Sequence, residues 1–167
     1  MDTLSHALWG GGLYGFRGHF WLALFFGAFP DLFSFGIFLA MQAITGQLTP
    51  GAPPLSSIPD WLFTSYDITH SALIAGAAIA LVGALRRDLA FAMLGWPFHI
   101  LLDAPFHSAA YFPTEILYPF SDFHFDGVPW SNPWVWYPNV AGILVLYAWR
   151  FRPRAAGGRS AGESKSG

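Results

Sequence analysis

No lysine or arginine occurs between residues 18 and 85, or again between residues 88 and 149. A water-soluble domain needs roughly a quarter of its residues charged to cover its surface. Here 11% are charged and 54% are hydrophobic, with 17 Phe and 8 Trp among 167 residues. Such a chain is built for an apolar solvent, and residues 1–151 read as one all-α, multi-pass helical membrane domain surrounded by membrane lipids. The chain has no Cys, so any metal must be held by nitrogen and oxygen ligands. The absence of a broad basic surface argues against a nucleic-acid partner. A positively charged leader with a small-residue cleavage site is missing, so no removable signal peptide is expected.

Four apolar runs are long enough, or nearly so, for a bilayer that needs about 20 helical residues. They cover residues 19–44, 68–85, 88–106 and 134–150. A fifth stretch, residues 3–16, is short and Gly-rich and either spans or lies at the interface, so four to five transmembrane segments are expected. The first long run contains Pro30 and Asp31. Proline has no N–H to donate and disfavours helix before it, so a break is expected there, with Asp31 opening a new half-helix. The positive-inside rule places Arg17, Arg86 with Arg87, and the tail on the cytoplasmic side. Loops 45–66 and 107–133 then face outward, flanked by Trp61, Trp130, Trp134 and Trp136 as an aromatic belt. Residues 152–167, rich in Arg, Gly and Ser, read as a disordered basic cytoplasmic tail.

Against this apolar background a few polar residues stand out. His99 and Asp103, four apart, project from one helix face, and ionisable groups in apolar segments mark functional sites by default. His6, Asp31 and His70 share these surroundings. At 1.5 Å rise per residue, Asp31 lies roughly 21 Å from Arg17, His70 roughly 24 Å from Arg86, and His99 and Asp103 roughly 18 and 24 Å from Arg87. If the N-terminal segment spans, His6 lies roughly 16 Å from Arg17. All five therefore fall in one layer in the outer half of the bilayer.

Neutral imidazoles with carboxylates suit a divalent metal, zinc first, with manganese or iron as alternatives. Thr69 and Ser71 flank His70 and are candidates to orient its ring. A metal with an open position can activate water toward an ester or phosphoester, and Glu115 is the nearest candidate general base outside the ligand set. The loop residues Asp122, His124 and Asp126 read as solvated, although His124 and Asp126 would share a face of a strand. His19 and His107 read as interfacial. Gly10, Gly11, Gly12 and Gly15 read as sites of close helix packing.

The order Ser5-His6-Ala7, Phe29-Pro30-Asp31-Leu32, Thr69-His70-Ser71, His99-x-x-x-Asp103 and Tyr118-Pro119-Phe120-Ser121 resembles the LexA-regulated inner-membrane family of bacteria and archaea classed as metal-dependent hydrolases. The likeness covers roughly residues 1–150. It implies a multi-pass protein of the prokaryotic inner (cytoplasmic) membrane, with metal ligands at His6, Asp31, His70, His99 and Asp103; an amphiphilic or lipid-like ester substrate suits the position of such a site in the bilayer. Two departures bear on a second metal and on phosphate recognition. The family often has Pro-Asp-x-Asp where this chain has Phe33, and His-Arg-Gly where it reads Ser65-Tyr66-Asp67-Ile68. The residues alone leave two rival readings of the same polar layer: a cation or proton transporter, and a structural membrane protein whose buried pairs hold helices together. No feature of the sequence sets an oligomeric state.

Overall fold

A computed structural model describes residues 1–152. The disorder expected for residues 152–167 concerns, from residue 153 on, residues outside that range. The described chain is all-helical. In order it forms α1 (Thr3–Tyr14), α2 (Phe20–Asp31), α3 (Ile37–Ile44), α4 (Asp60–Thr69), α5 (Ala72–Leu85), α6 (Arg87–Met93), α7 (Gly95–Asp103) and α8 (Pro133–Arg150). No named strand occurs among the described residues, so His124 and Asp126 do not share a strand face. His124 Nδ1 instead meets the carbonyl of Asp122 at 2.8 Å, and Asp126 Oδ1 accepts from the Ala109 N–H at 2.8 Å.

The expected break at Pro30 is not there. Helix α2 carries Pro30 inside it, and Asp31, at φ −65° and ψ −42°, passes straight into a π-helical turn, Leu32–Gly36, that leads on to α3. The wider turn absorbs what proline disturbs, and Ser34 Oγ donates to the Pro30 carbonyl at 2.7 Å, the back-bonding expected of a serine in a bent helix. Phe20–Ile44 is thus one continuous 25-residue apolar helix, with Asp31 on the turn before the π segment.

It is the one helix among the described residues long and apolar enough to cross a membrane; α4 with α5, bent by 52°, makes a second if the pair counts as one span. Four to five such spans are not found. Helix α1 has 12 residues, α6 and α7 are separate short helices of 7 and 9 residues that meet at Leu94, and α8 has 18.

The bend between α4 and α5 falls at His70 and Ser71. Ser71 Oγ caps α5 by accepting from the Ile74 N–H at 3.2 Å and donates to the Tyr118 carbonyl at 2.6 Å. The Ala72 N–H finds the Ile116 carbonyl at 3.0 Å, and the Trp96 indole N–H takes the Thr69 carbonyl at 2.6 Å. Backbone groups freed by the bend are thus paired by the loop between α7 and α8 and by α7 itself, as a buried break requires.

Glycines set how closely the helices meet. A Cβ added at Gly10 would lie 2.5 Å from the Ala23 carbonyl oxygen, and one at Gly27 would lie 2.3 Å from the His6 carbonyl oxygen. One at Gly95 would lie 2.9 Å from Ala23 O. Helices α1, α2 and α7 therefore touch backbone to backbone, bringing His6, Gly27 and His99 to one point.

The basic residues gather at the opposite end. Arg150 donates to the Gly12 and Gly15 carbonyls, both at 2.9 Å, and so caps the C-terminus of α1, where a cation is favoured. Arg17 lies over Phe91, and His19 and Arg86 both reach Asp88. Polar side chains share the interior with an apolar core, while many large apolar side chains face outward. His6, His70, His99, Asp103, Ser34 and Ser71 are almost wholly enclosed, whereas Trp21, Ile44, Leu81, Leu85, Trp134 and Val145 lie open on the exterior.

Candidate metal centre

Three parts of the chain bring four residues to one buried point. Asp31 arrives on the last turn of α2, His70 at the α4–α5 bend, and His99 and Asp103 one turn apart on α7. These four residues offer ligand atoms that all lie within 4.8 Å of one another. His70 Nε2 is 3.1 Å from His99 Nε2, and Asp103 Oδ2 lies 3.1 Å from His99 Nε2 and 3.5 Å from His70 Nε2. Asp31 Oδ1 lies 3.7 Å from His99 Nε2 and 3.8 Å from His70 Nε2. A tetrahedral ion with bonds of ~2.05 Å separates its ligands by roughly 3.3 Å. These five separations differ from that value by no more than about half an ångström, the two to Asp31 being the longest.

Hydrogen-bond accounting gives the rings their tautomers. His70 Nδ1 faces the Tyr66 carbonyl at 2.9 Å, and His99 Nδ1 faces the Gly27 carbonyl at 2.7 Å. A carbonyl only accepts, so both Nδ1 atoms carry the proton and both neutral rings turn a bare Nε2 lone pair inward. Two lone pairs and two carboxylates then face one another with no donor among them. A cation, or a proton taken up by a ring, must stand between them. Fixing a ligating imidazole through its other nitrogen is the arrangement found around metals. The Asp31, His70, His99 and Asp103 group can hold a metal ion.

The other expected site residues are placed as follows. His6 touches the group only through Asp103, its Nε2 lying 2.9 Å from Oδ1, and its ring stacks on His99 with centroids 3.6 Å apart. Thr69 Oγ1 donates to the Ser65 carbonyl at 2.8 Å and lies 3.2 Å from His70 Nδ1. Ser71 makes no hydrogen bond to that ring; its hydroxyl is committed to capping α5 and to Tyr118. Glu115 is not part of the group and lies instead where its charge acts on Asp67.

Some residues at the site were not expected from the sequence. Tyr66 supplies the carbonyl for His70 and stacks on its ring at 3.7 Å between centroids. Thr3 Oγ1 donates to Asp31 Oδ2 at 2.8 Å, and the Met1 ammonium rests on Asp103 Oδ1. His107, read as interfacial, belongs here: its Nε2 lies 3.6 Å from Asp103 Oδ1, and its side chain is 14% exposed. The spacing 99, 103, 107 carried that signal, two steps of four residues on one helical face, although α7 itself ends at Asp103.

A cavity of about 670 Å³ adjoins the group on the side away from the basic residues, with Asp31, Tyr66 and His107 in its wall beside Phe35, Tyr111 and Trp130. Asp31 is the one member of the four whose side chain is reachable, at 13% exposure against 0% for the others. No protein-family model, curated protein or solved structure matches this chain.

Proposed function

We propose that the protein is a membrane-embedded, metal-dependent hydrolase that cleaves an amphiphilic ester or phosphoester, with zinc as the ion of choice. The observation that carries this reading is a near-tetrahedral N2O2 group of enclosed residues with one carboxylate, Asp31, open to a cavity of about 670 Å³. That volume lies within the range of small-molecule sites. His70, His99 and Asp103 would hold a zinc ion on three sides, and with Asp31 at the cavity giving way to a water molecule the ion would supply Lewis acidity and lower the pKa of that water.

The chain's own residues supply the rest. Tyr66 and Gly27 lock the two imidazoles through their carbonyls, Thr3 fixes Asp31, and His6 fixes Asp103. Phe35, Tyr111 and Trp130 give the cavity the apolar wall that an amphiphile needs. Glu115 has no part in this arrangement.

The membrane part of the reading rests on the continuous Phe20–Ile44 helix, the Lys/Arg-poor sequence, and the large apolar side chains on the exterior. In water, large exposed apolar surfaces are rare. A multi-pass protein of a prokaryotic inner membrane, with the shorter helices crossing as a bundle, accounts for them, and agrees with the likeness to the LexA-regulated family.

Elemental analysis of the detergent-purified protein tests the site, comparing wild type with a folded His99→Ala, Asp103→Asn double variant. Zinc, manganese or iron in the wild type and its loss in the variant are expected. A wild type without metal, even after reconstitution, removes the reading. Metal without turnover of any ester, phosphoester or amide leaves the centre and removes the hydrolase.

A further inference from the structure

The chain between α7 and α8 carries an apolar edge that the metal centre does not use. Phe120 is 85% exposed, Phe123 and Phe125 are each 48% exposed, and Val128 is 49% exposed. Residues 121–129 form no helix, turn or strand of their own, yet the stretch is pinned on both sides. Before it, the Tyr118 carbonyl accepts from Ser71 Oγ at 2.6 Å, at the head of α5. At its far end the Gly127, Val128 and Trp130 N–H groups donate to the carbonyls of His107, Pro105 and Phe106 at 2.8, 3.1 and 3.0 Å. A Cβ at Gly127 would lie 2.1 Å from the Pro105 carbonyl oxygen, so the two backbones touch there.

The side chains in between sort by polarity. Phe123 and Phe125 meet edge to face with ring centroids 5.2 Å apart, so they share one side, as alternate residues of an extended chain do. Asp122, His124 and Asp126 hold the intervening positions, and Asp126 turns back to accept from the Ala109 N–H at 2.8 Å.

Tied on both sides, this stretch keeps its Phe rings out of the core. An apolar edge held outward calls for a cover. Two observations say which. The stretch leads directly into α8, whose first turns leave Trp134 and Tyr137 exposed, and aromatic residues at the end of a span mark the bilayer–water boundary. The loop itself holds no Lys or Arg, so nothing in it attracts an acidic protein or a phosphate-rich surface, and its contact is apolar.

We propose that residues 120–128 lie in the bilayer–water interface at the cavity end of the molecule, with Phe120, Phe123 and Phe125 among the acyl chains. The proposal rests on the membrane part of the reading above and is independent of the metal. Elements that lie in this plane bury their apolar side about 5–10 Å into the boundary between headgroups and acyl chains. Pro129, Trp130 and Ser131, which follow at once, line the cavity. The cavity therefore opens at the depth of that boundary, where an amphiphile already resides.

Site-directed spin labelling tests this, because the chain has no Cys to remove. Phe123→Cys and Phe125→Cys, each carrying a nitroxide, are placed in vesicles of phosphatidylethanolamine and phosphatidylglycerol. Collision of the label with oxygen is compared with its collision with a water-soluble nickel chelate. Ser57→Cys, in the exposed loop between α3 and α4, calibrates water, and Leu81→Cys, exposed on α5, calibrates lipid. Oxygen-to-nickel ratios several-fold above that of Ser57→Cys are expected at positions 123 and 125. Ratios equal to that of Ser57→Cys, with Leu81→Cys still reporting lipid, overturn the proposal and leave the membrane reading. Labels immobilised and shielded from both reagents show that a protein surface covers the edge, which also overturns it. If Leu81→Cys reports water as well, the membrane reading falls and the proposal with it. Should neither Phe variant fold, Phe120→Cys, at the most exposed of these positions, is measured with the same expectation, and a water-like ratio there overturns the proposal.

Discussion

His70 Nε2 and His99 Nε2 point at each other across 3.1 Å, while the opposite nitrogen of each ring is tied to a backbone carbonyl, Tyr66 for one and Gly27 for the other. Each ring is held by the main chain of a different helix, so the two lone pairs cannot swing apart without breaking a buried hydrogen bond. Pre-set repulsion of this kind makes the folded state gain when a cation arrives.

Zinc should therefore raise the thermal stability of the wild type. At free zinc about 100-fold above the dissociation constant, the gain is about 2.7 kcal/mol. His70→Gln should lose most of that gain, whereas Glu115→Gln, outside the group, should keep it. Scanning fluorimetry with and without chelator reads the shift, and a Glu115→Gln protein that no longer responds to zinc would restore Glu115 to the centre.

Two glycines to alanine should act in opposite directions. At Gly27 the new Cβ would meet the His6 carbonyl at 2.3 Å, forcing α1 from α2 and costing about 1–3 kcal/mol. At Gly76, on the exposed face of α5, nothing lies within 4 Å, so the usual helix preference of alanine should add up to about 1 kcal/mol. Denaturation of both variants in the same detergent compares them, and metal affinity should fall only for Gly27→Ala, since that strand of contacts also holds His99.

Orientation in the membrane can be read directly, because the chain has no native Cys to mask. Ser57→Cys, exposed in the loop between α3 and α4, should react with an impermeant maleimide from outside intact cells. Arg87→Cys should react only after the membrane is opened. Labelling in the reverse pattern would place the cavity on the cytoplasmic side.

The sequence and the structure disagree where local rules meet tertiary demands. Pro30 is a helix breaker by its chemistry, yet α2 runs through it because the π turn and Ser34 take up the disturbance. Ser71 sits next to a ligand in sequence and is nevertheless spent on the helix end that begins there. Glu115, a candidate base from the sequence, is outside the four-residue group, and its charge acts on Asp67 instead. His107 is the converse: its surroundings in the sequence are those of an interfacial loop, and the turn after α7 folds it back onto Asp103.

By itself, the sequence determined that the chain would be helical and that a small set of His and Asp residues would be costly to leave unpaired. Both follow from composition and from the i, i+4 geometry of one helix, which need no knowledge of long-range contacts. Only the tertiary structure decided which lone pairs face inward, because ring orientation depends on the carbonyls of Tyr66 and Gly27, 4 and 72 residues away from the rings they hold. It also decided that Asp103 faces two sets of donors, since His6 reaches it across 97 residues through a helix contact that Gly10 and Gly27 make possible.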